Sequence, residues 1–247
     1  MAMIKKTNEI NILREGGQIL AQAVAHVIHH IVPGITTDEL DQLFTEYVRG
    51  HNAEPSFLGF HGYPKSICTS INDEVVHAIP GNRKLISGDI LGIDCGVRYK
   101  EYCTDMARTV AIGTVSAEAK DLMRVTKKAL QLGIDQAIPG HTIGDIGAAI
   151  QRYVERHGYS VVRVLVGHGV GADVHEEPQI PNFGKAGSGR KLEKGMVLAL
   201  EPMVNVGESD VVFDQNGWTV RTADGTLSAH FEETIVITEG APELLTR

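Results

Sequence analysis

The chain has 247 residues, 43% of them hydrophobic, enough to bury a large core as one big domain or two intimate halves. Its net charge of −8, with no basic run beyond Lys5-Lys6 or Lys127-Lys128, argues against nucleic-acid binding as its main business. Three cysteines (Cys68, Cys95, Cys103) suit no zinc ribbon, the start MAMIKKTNEI has no apolar core of signal-peptide length, and no window approaches a membrane span; a soluble protein of a reducing, cytoplasmic compartment is expected.

In chain order, apolar residues at helical spacing predict a helix over about 9–31, stopped at Pro33-Gly34. A second helix opens at Thr36, with Glu39 completing a capping box, and ends near Gly50. The loop NAEPSFLGFHGYPKS leads into two short strand candidates, ICTSIN and VVHAIP. DILGIDCGVRYKEYCTD then reads as a β-hairpin: an apolar run ending on Asp94, a turn region from Gly96 through Glu101, and Asp105 entering a second strand. Two acids placed together in an apolar sheet cost several kcal/mol unless a cation or protons neutralise them. Ser116 caps a long helix to about Ala137, another covers about 142–157, and 159–166 is strand-like. The last third alternates as sheet over 196–206, 211–213, 218–221 and 227–238.

An internal echo runs through the chain. PGITTDEL at 33–40 recurs loosely as PGHTIGDI at 139–146, and ISGDILGID at 86–94 recurs as LEKGMVLALE at 192–201, which puts Asp94 and Glu201 at corresponding strand ends. Such repetition suggests a pseudo-twofold α/β domain whose halves, about 1–112 and 113–240, share a site. No low-complexity linker divides them, so one domain is expected.

Five residues in or beside β-like segments form a candidate metal cluster: Asp94, Asp105, His168, Glu201 and Glu232. Four carboxylates and one imidazole are an oxygen-dominated set, better suited to Mn²⁺, Fe²⁺ or Co²⁺ than to a structural zinc. Bridging acids of this number can hold two ions about 3.5–4 Å apart. Taken singly, each residue reads better as a turn residue or a solvated strand-end acid; only jointly does the metal reading prevail.

Together the segments SICTSINDEVVHAIP, DILGIDCGV with YCTDMARTV, VGHGVGADVHEEPQIPNF, MVLALEPMVN and GWTVRTADGTLSAHFEETIVIT closely resemble the type I methionine aminopeptidases of the M24 metallopeptidase family, in their bacterial or organellar form. The resemblance spans nearly the whole chain. It implies the pita-bread fold, a pseudo-twofold mixed and antiparallel sheet covered by helices, and removal of the initiator methionine from nascent polypeptides when the next residue is small. No room exists for the helical insertion of type II enzymes, and the zinc-binding extension of eukaryotic cytosolic ones is absent.

The resemblance further implies one metal site of Asp105, His168, Glu201 and Glu232, and a second sharing Asp105 and Glu232 and adding Asp94. The ions would be divalent Co, Mn, Fe, Ni or Zn. Glu201 would double as general base, its alternative role being ligand only; His175 would polarise the scissile carbonyl, and His77 would face the amide nitrogen. Phe60, Tyr63, Cys68 and Trp218 would form the methionine pocket, with His77 and His175 at its rim. Asn72, Glu74 and Ser228 match a loop that holds a monovalent cation, Na⁺ or K⁺. Nascent-chain N-termini, transient contact with the ribosome and a monomeric state are implied, with no membrane partner. The chain's own Met1-Ala2 would itself fit as a substrate. Departures from the commonest pattern are Phe60, Ala78 and Val174; they bear on the fine detail of the substrate pocket, and none removes a ligand. The alternatives are a proline-directed peptidase of the same fold, whose extra N-terminal domain is absent here, and a non-catalytic relative, which would lack ligands.

Overall fold

Four α-helices form where the spacing predicts them among the described residues, 4–247 of a computed structural model; Met1 and Ala2 lie outside those residues. Helix α1 (Thr7–His29) buries Leu13, Leu20, Val24 and Val27 along one face. Helix α2 (Thr37–Gly50) starts on the expected capping box: the Thr36 hydroxyl accepts from the Glu39 amide, and the Glu39 carboxylate accepts from the Thr36 amide. Helix α3 (Ala117–Gln136) is capped by Ser116, and α4 (Ile143–Arg156) by a second capping box, Thr142 with Asp145.

The echo read in the sequence is a structural repeat. Thr36 bridges to Lys84 and Thr142 to Lys191. The Leu85 amide donates to the Ile35 carbonyl, and the Leu192 amide to the His141 carbonyl. Each half thus ties the start of its second helix to the loop preceding its central strand. The class is α/β with the pseudo-twofold, predominantly antiparallel organisation expected.

The main sheet has nine strands, in the order Glu54–Pro55, Ile90–Tyr99, Tyr102–Ala111, Glu232–Val236, Val197–Leu200, Gly167–Gly169 and Glu176–Ile180. Ile67–Ile71 also pairs with Ile90–Tyr99, and Glu243–Leu244 with Glu232–Val236. One face packs on the helices. Ile93, Cys95 and Met106 meet α1 and α2, while Leu198, Leu200 and Ile235 meet α3 and α4. The opposite face carries the site.

Four expectations are corrected, one of them the run 227–238, which breaks at Phe231 into Ser228–His230 and Glu232–Val236. Gly96 lies inside its strand, not in the turn, because the hairpin closes on two residues only: Lys100 and Glu101, at φ 45 and 73, in the left-handed pair that matches strand twist. The span 159–166 keeps only Ser160–Val161 as strand. The run 196–206 is two strands, Val197–Leu200 and Met203–Asn205, because Pro202 has no amide to continue the ladder. The chain changes sheets there, from the main sheet to a three-stranded one, and changes again between Ser228–His230 and Glu232–Val236. Glu201 and Glu232 sit at these two corners, where the Phe231 amide donates to the Pro202 carbonyl.

Candidate active site

Strand register assembles the five sequence-predicted residues in two adjacent rows. In the first row Cys68 pairs with Asp94, Asp94 with Ala107 and Ala107 with Glu232. In the second, two residues along each strand, Gly96 pairs with Asp105 and Ala199 pairs with both Thr234 and His168. The Thr234 hydroxyl donates to the Asp105 carbonyl and accepts from the Asp105 amide, which joins the two halves of that row. Residues two apart on a strand share a face. Asp94 and Asp105 are therefore diagonal neighbours on one face, as the hairpin reading anticipated. Glu201 lies two residues beyond Ala199, on the same face. Between the acids stand small residues, Ala107, Gly96 and Ala199, which leave the middle of the face open.

His168 is part of a strand, not a turn. A Cβ at Gly167 would lie 2.4 Å from the Ala199 carbonyl oxygen, and one at Gly169 would lie 2.3 Å from that of Glu177. Only glycine lets the neighbouring strands approach on both sides of the histidine. Its Nδ1 lies 2.9 Å from the Gly169 carbonyl oxygen, so Nδ1–H donates there and Nε2 presents its lone pair to the site. Nε2 stands 3.3 Å from Glu201 Oε1.

One oxygen each from Asp94, Asp105 and Glu232 lies within 4.8 Å of the others, and one donor atom each from His168, Glu201 and Glu232 forms a second such group. A third joins Asp105 and His168 to His175. Glu232 and Asp105 each occur in two groups. Asp94, Asp105 and Glu232 are buried, at 8%, 3% and 2% exposure. Asp94 Oδ1, Asp105 Oδ1 and Glu232 Oε1 have no hydrogen-bond partner. Burial raises all four carboxyls, Asp94 to about 7, and repulsion among the acids adds to the rise at Asp105, Glu201 and Glu232. Buried acids with unpaired oxygens are costly unless a cation or shared protons balance them. The donor set fits divalent ions.

Above the acids lies an apolar pocket of about 140 Å³ lined by Phe60, Tyr63, Cys68, His77, His175 and Trp218, as expected, together with Phe57, His61 and Val174. A cavity of about 150 Å³ can take a ligand of benzene's size. Trp218 meets Tyr63 edge to face at 5.0 Å, and Phe60 meets His175 likewise at 5.2 Å. The Tyr63 hydroxyl donates to the carbonyls of Ile67 and Ala78, so it also clamps the strand that carries Cys68 to the segment that carries His77. A second cavity of about 370 Å³, lined in part by Val76, Leu165 and Met203, shares His77, His168, His175 and Glu201 with the first. His77 has φ +59, a left-handed conformation that costs a non-glycine residue energy and recurs at functional sites. Burial lowers His77 to about 4 and His168 to about 3, and lowers the more exposed His175 with help from His61, so all three are neutral near pH 7.

Asn72, Glu74 and Ser228 also converge, but mainly on protein partners. The Asn72 side chain bonds Asp89 and the Ile90 amide, while Glu74 accepts from the Ile71 amide and pairs with Arg83 and Arg221. The Ser228 amide donates to the Asn72 carbonyl. Sequence reasoning missed Phe57, His61 and His230. An aromatic loop gives no periodicity by which to choose its inward residues; for His230, the alternation with Glu232 in HFE was the available signal.

A sheet face with four acids and a histidine beneath an apolar pocket defines a metal-dependent hydrolase. Residues 11–239 match the metallopeptidase family M24. The chain is 48% identical over 246 residues to the methionine aminopeptidase of Clostridium perfringens, covering 100% of this chain and 99% of that one. The crystal structure of methionine aminopeptidase from Thermotoga maritima superposes with a TM-score of 0.98 at 42% identity, over 100% of both chains. The prolidase of Pyrococcus furiosus shares the fold alone: TM-score 0.82 and 22% identity, over 99% of this chain and 65% of that one. The chain belongs to metallopeptidase family M24, on its type I methionine aminopeptidase branch. No helix among the described residues is long and apolar enough to cross a membrane.

Proposed function

We propose that the chain removes the N-terminal methionine from nascent polypeptides whose second residue is small, by metal-assisted amide hydrolysis. The observation that carries this reading is the convergence of Asp94, Asp105, His168, Glu201 and Glu232, with unpaired buried oxygens, at the floor of a pocket sized for one apolar side chain. Asp105 and Glu232 are the shared ligands, Asp94 completes one site, and His168 with Glu201 completes the other. When bound, two divalent ions (Mn, Fe, Co, Ni or Zn) supply Lewis acidity at the scissile carbonyl and balance the charge of the acids.

The side chains do the rest. The methionine enters the pocket of Phe60, Tyr63, Cys68 and Trp218, where aromatic edges favour a thioether by about 0.3–1.5 kcal/mol. The remaining peptide leaves through the second cavity. The scissile bond then falls among the four residues common to both cavities. Glu201, at the junction of the two cavities, takes one proton from the attacking water and passes it to the leaving amine. Neutral His175 donates to the developing oxyanion and neutral His77 meets the amide nitrogen. Asp94 lies nearest Cys68 and the pocket, where the substrate's free α-amine would be held, which restricts cleavage to N-termini.

A monovalent cation, Na⁺ or K⁺, near Asn72, Glu74 and Ser228 would rest on backbone carbonyls, because the side chains of Asn72 and Glu74 are already bonded. The chain acts as one pita-bread domain, a cytoplasmic monomer in transient contact with the ribosome, its site between the halves at about 1–112 and 113–240. A panel of Met-Ala-Ser, Met-Leu-Ser and Ala-Pro in Mn²⁺ tests the specificity. Only the first should be cut efficiently; preference for Ala-Pro would overturn the reading in favour of a proline-directed peptidase.

A further inference from the structure

Behind the cluster lies a histidine that lines neither cavity and cannot touch the substrate. His230 is 3% exposed, and its Nε2 is buried without any hydrogen-bond partner. Two carboxylate oxygens face that nitrogen: Glu201 Oε2 at 3.9 Å and Glu232 Oε2 at 4.0 Å. These are longer than hydrogen bonds, yet they are the two corner acids that the sheet switch brings together. Glu201 divides its oxygens, Oε1 towards His168 and Oε2 towards His230. The backbone at His230 is fixed independently: its amide and carbonyl both bond the Thr109 hydroxyl, and it stands in register with Met203. The ring is thus held where it is by elements that do not depend on the acids.

We propose that His230 is a positioning residue for the metal site: its Nε2–H donates to the outer oxygen of Glu201, with Glu232 beside it, and aims the inner oxygens of both acids at the ions. With the proton assigned to Nε2, the unpaired ring nitrogen and the carboxylate oxygens facing it stabilise one another once the side chains close the remaining ångström, and such contacts commonly tighten when a site is loaded. Partners of this kind behind metal ligands typically contribute 10–100-fold in metal affinity. The inference rests on the ligand assignment proposed above for Glu201 and Glu232.

The test compares Mn²⁺ binding by calorimetry to the stripped wild-type chain, His230→Leu and His230→Gln, with thermal unfolding of each in EDTA. His230→Leu should bind Mn²⁺ 10–100-fold more weakly, and His230→Gln, which keeps a donor, should recover most of that loss. Their unfolding midpoints in EDTA should not follow the same order. Equal affinity in wild type and His230→Leu would overturn the inference, as would equal losses in both variants. Failure of the wild-type chain to bind Mn²⁺ would instead overturn the ligand assignment. A second measurement needs no variant. In ¹⁵N-histidine-labelled wild-type chain titrated with diamagnetic Zn²⁺, the His230 Nε2–H resonance should move downfield and exchange more slowly with water. An unchanged His230 resonance at saturation would contradict the proposal.

Discussion

Glu232 and Glu233 are neighbours in the chain and face opposite sides of the main sheet. Glu233, on the helix side, accepts from Arg108 and from the Thr246 hydroxyl, while Glu232 keeps a buried oxygen with no partner among three other acids. Arg108 also donates to the Glu232 carbonyl, so it holds the strand in the register that turns Glu232 to the site. Replacing each by glutamine should separate the two roles. Glu233→Gln weakens a partly buried charged pair and should cost about 1–3 kcal/mol of stability with metal content retained. Glu232→Gln removes one of the repelling acids, so it should stabilise the metal-free protein while abolishing turnover. Unfolding midpoints in EDTA beside kcat in Mn²⁺ check both.

The two histidines at the junction of the cavities differ from the ligands in what their loss should do. His175→Ala should lower kcat by about 10²–10³-fold, the usual cost of a missing oxyanion donor, and His77→Ala should lower kcat through the lost contact to the amide nitrogen. Metal content should stay unchanged. Because His175 also lies within reach of Asp105 and His168, metal analysis is the informative readout. Loss of an ion in His175→Ala would move it into the ligand set.

Stability against pH should change character when the metal is removed. The unfolded carboxyls titrate near pH 4, whereas Asp94 holds its proton to about 7 and the other three acids are also raised well above their ordinary range. The folded chain then binds more protons than the unfolded chain, and its stability falls as pH rises through that interval. His77, His168 and His230, lowered to about 4, 3 and 3, act in the opposite sense: stability rises with pH up to about 6.5, where the unfolded histidines have lost their protons. The two effects oppose below about pH 6.5, and only the carboxyls act above it. The midpoint in EDTA should therefore fall from about pH 6.5 upwards, and saturating Mn²⁺ should remove that fall. A midpoint in EDTA that rises over this range would contradict the shared-charge account of the cluster.

The pocket offers a cleaner test at Trp218 than at Cys68. Cys68 stands in register with Asp94, so a large side chain there would disturb the acids as well as the slot. Trp218 packs edge to face on Tyr63 and is not among the proposed ligands, and Trp218→Ala should raise KM for Met-Ala-Ser at least tenfold with a smaller change in kcat. Steady-state kinetics with metal analysis check it; an unchanged KM would remove Trp218 from the pocket.

Much of this was legible in the sequence, and the rest was hidden for identifiable reasons. The capping box at Thr36, the recurrence of PGITTDEL as PGHTIGDI and the offset between Asp94 and Glu201 are local signals, and they gave the helices and the repeat. The hairpin gave two acids on one face because strand alternation is strict. Register between distant strands is not local, so Glu232 opposite Ala107 could not be derived from spacing, nor could the site-facing one of Glu232 and Glu233 be chosen. The resemblance supplied that choice. The sheet switches at Pro202 and Phe231 were read as unbroken strands because alternation continues across them. That error also concealed His230, which reaches the acids only because the chain turns a corner.

The central claim is that the acids hold ions on which methionine removal depends. The most direct measurement is turnover of Met-Ala-Ser by EDTA-stripped wild-type and Asp105→Ala chains across a Mn²⁺ titration. The stripped wild-type chain should be inactive and regain activity with Mn²⁺, while Asp105→Ala should remain inactive at every concentration. Metal-independent turnover, or near-normal turnover by Asp105→Ala at saturation, would contradict it.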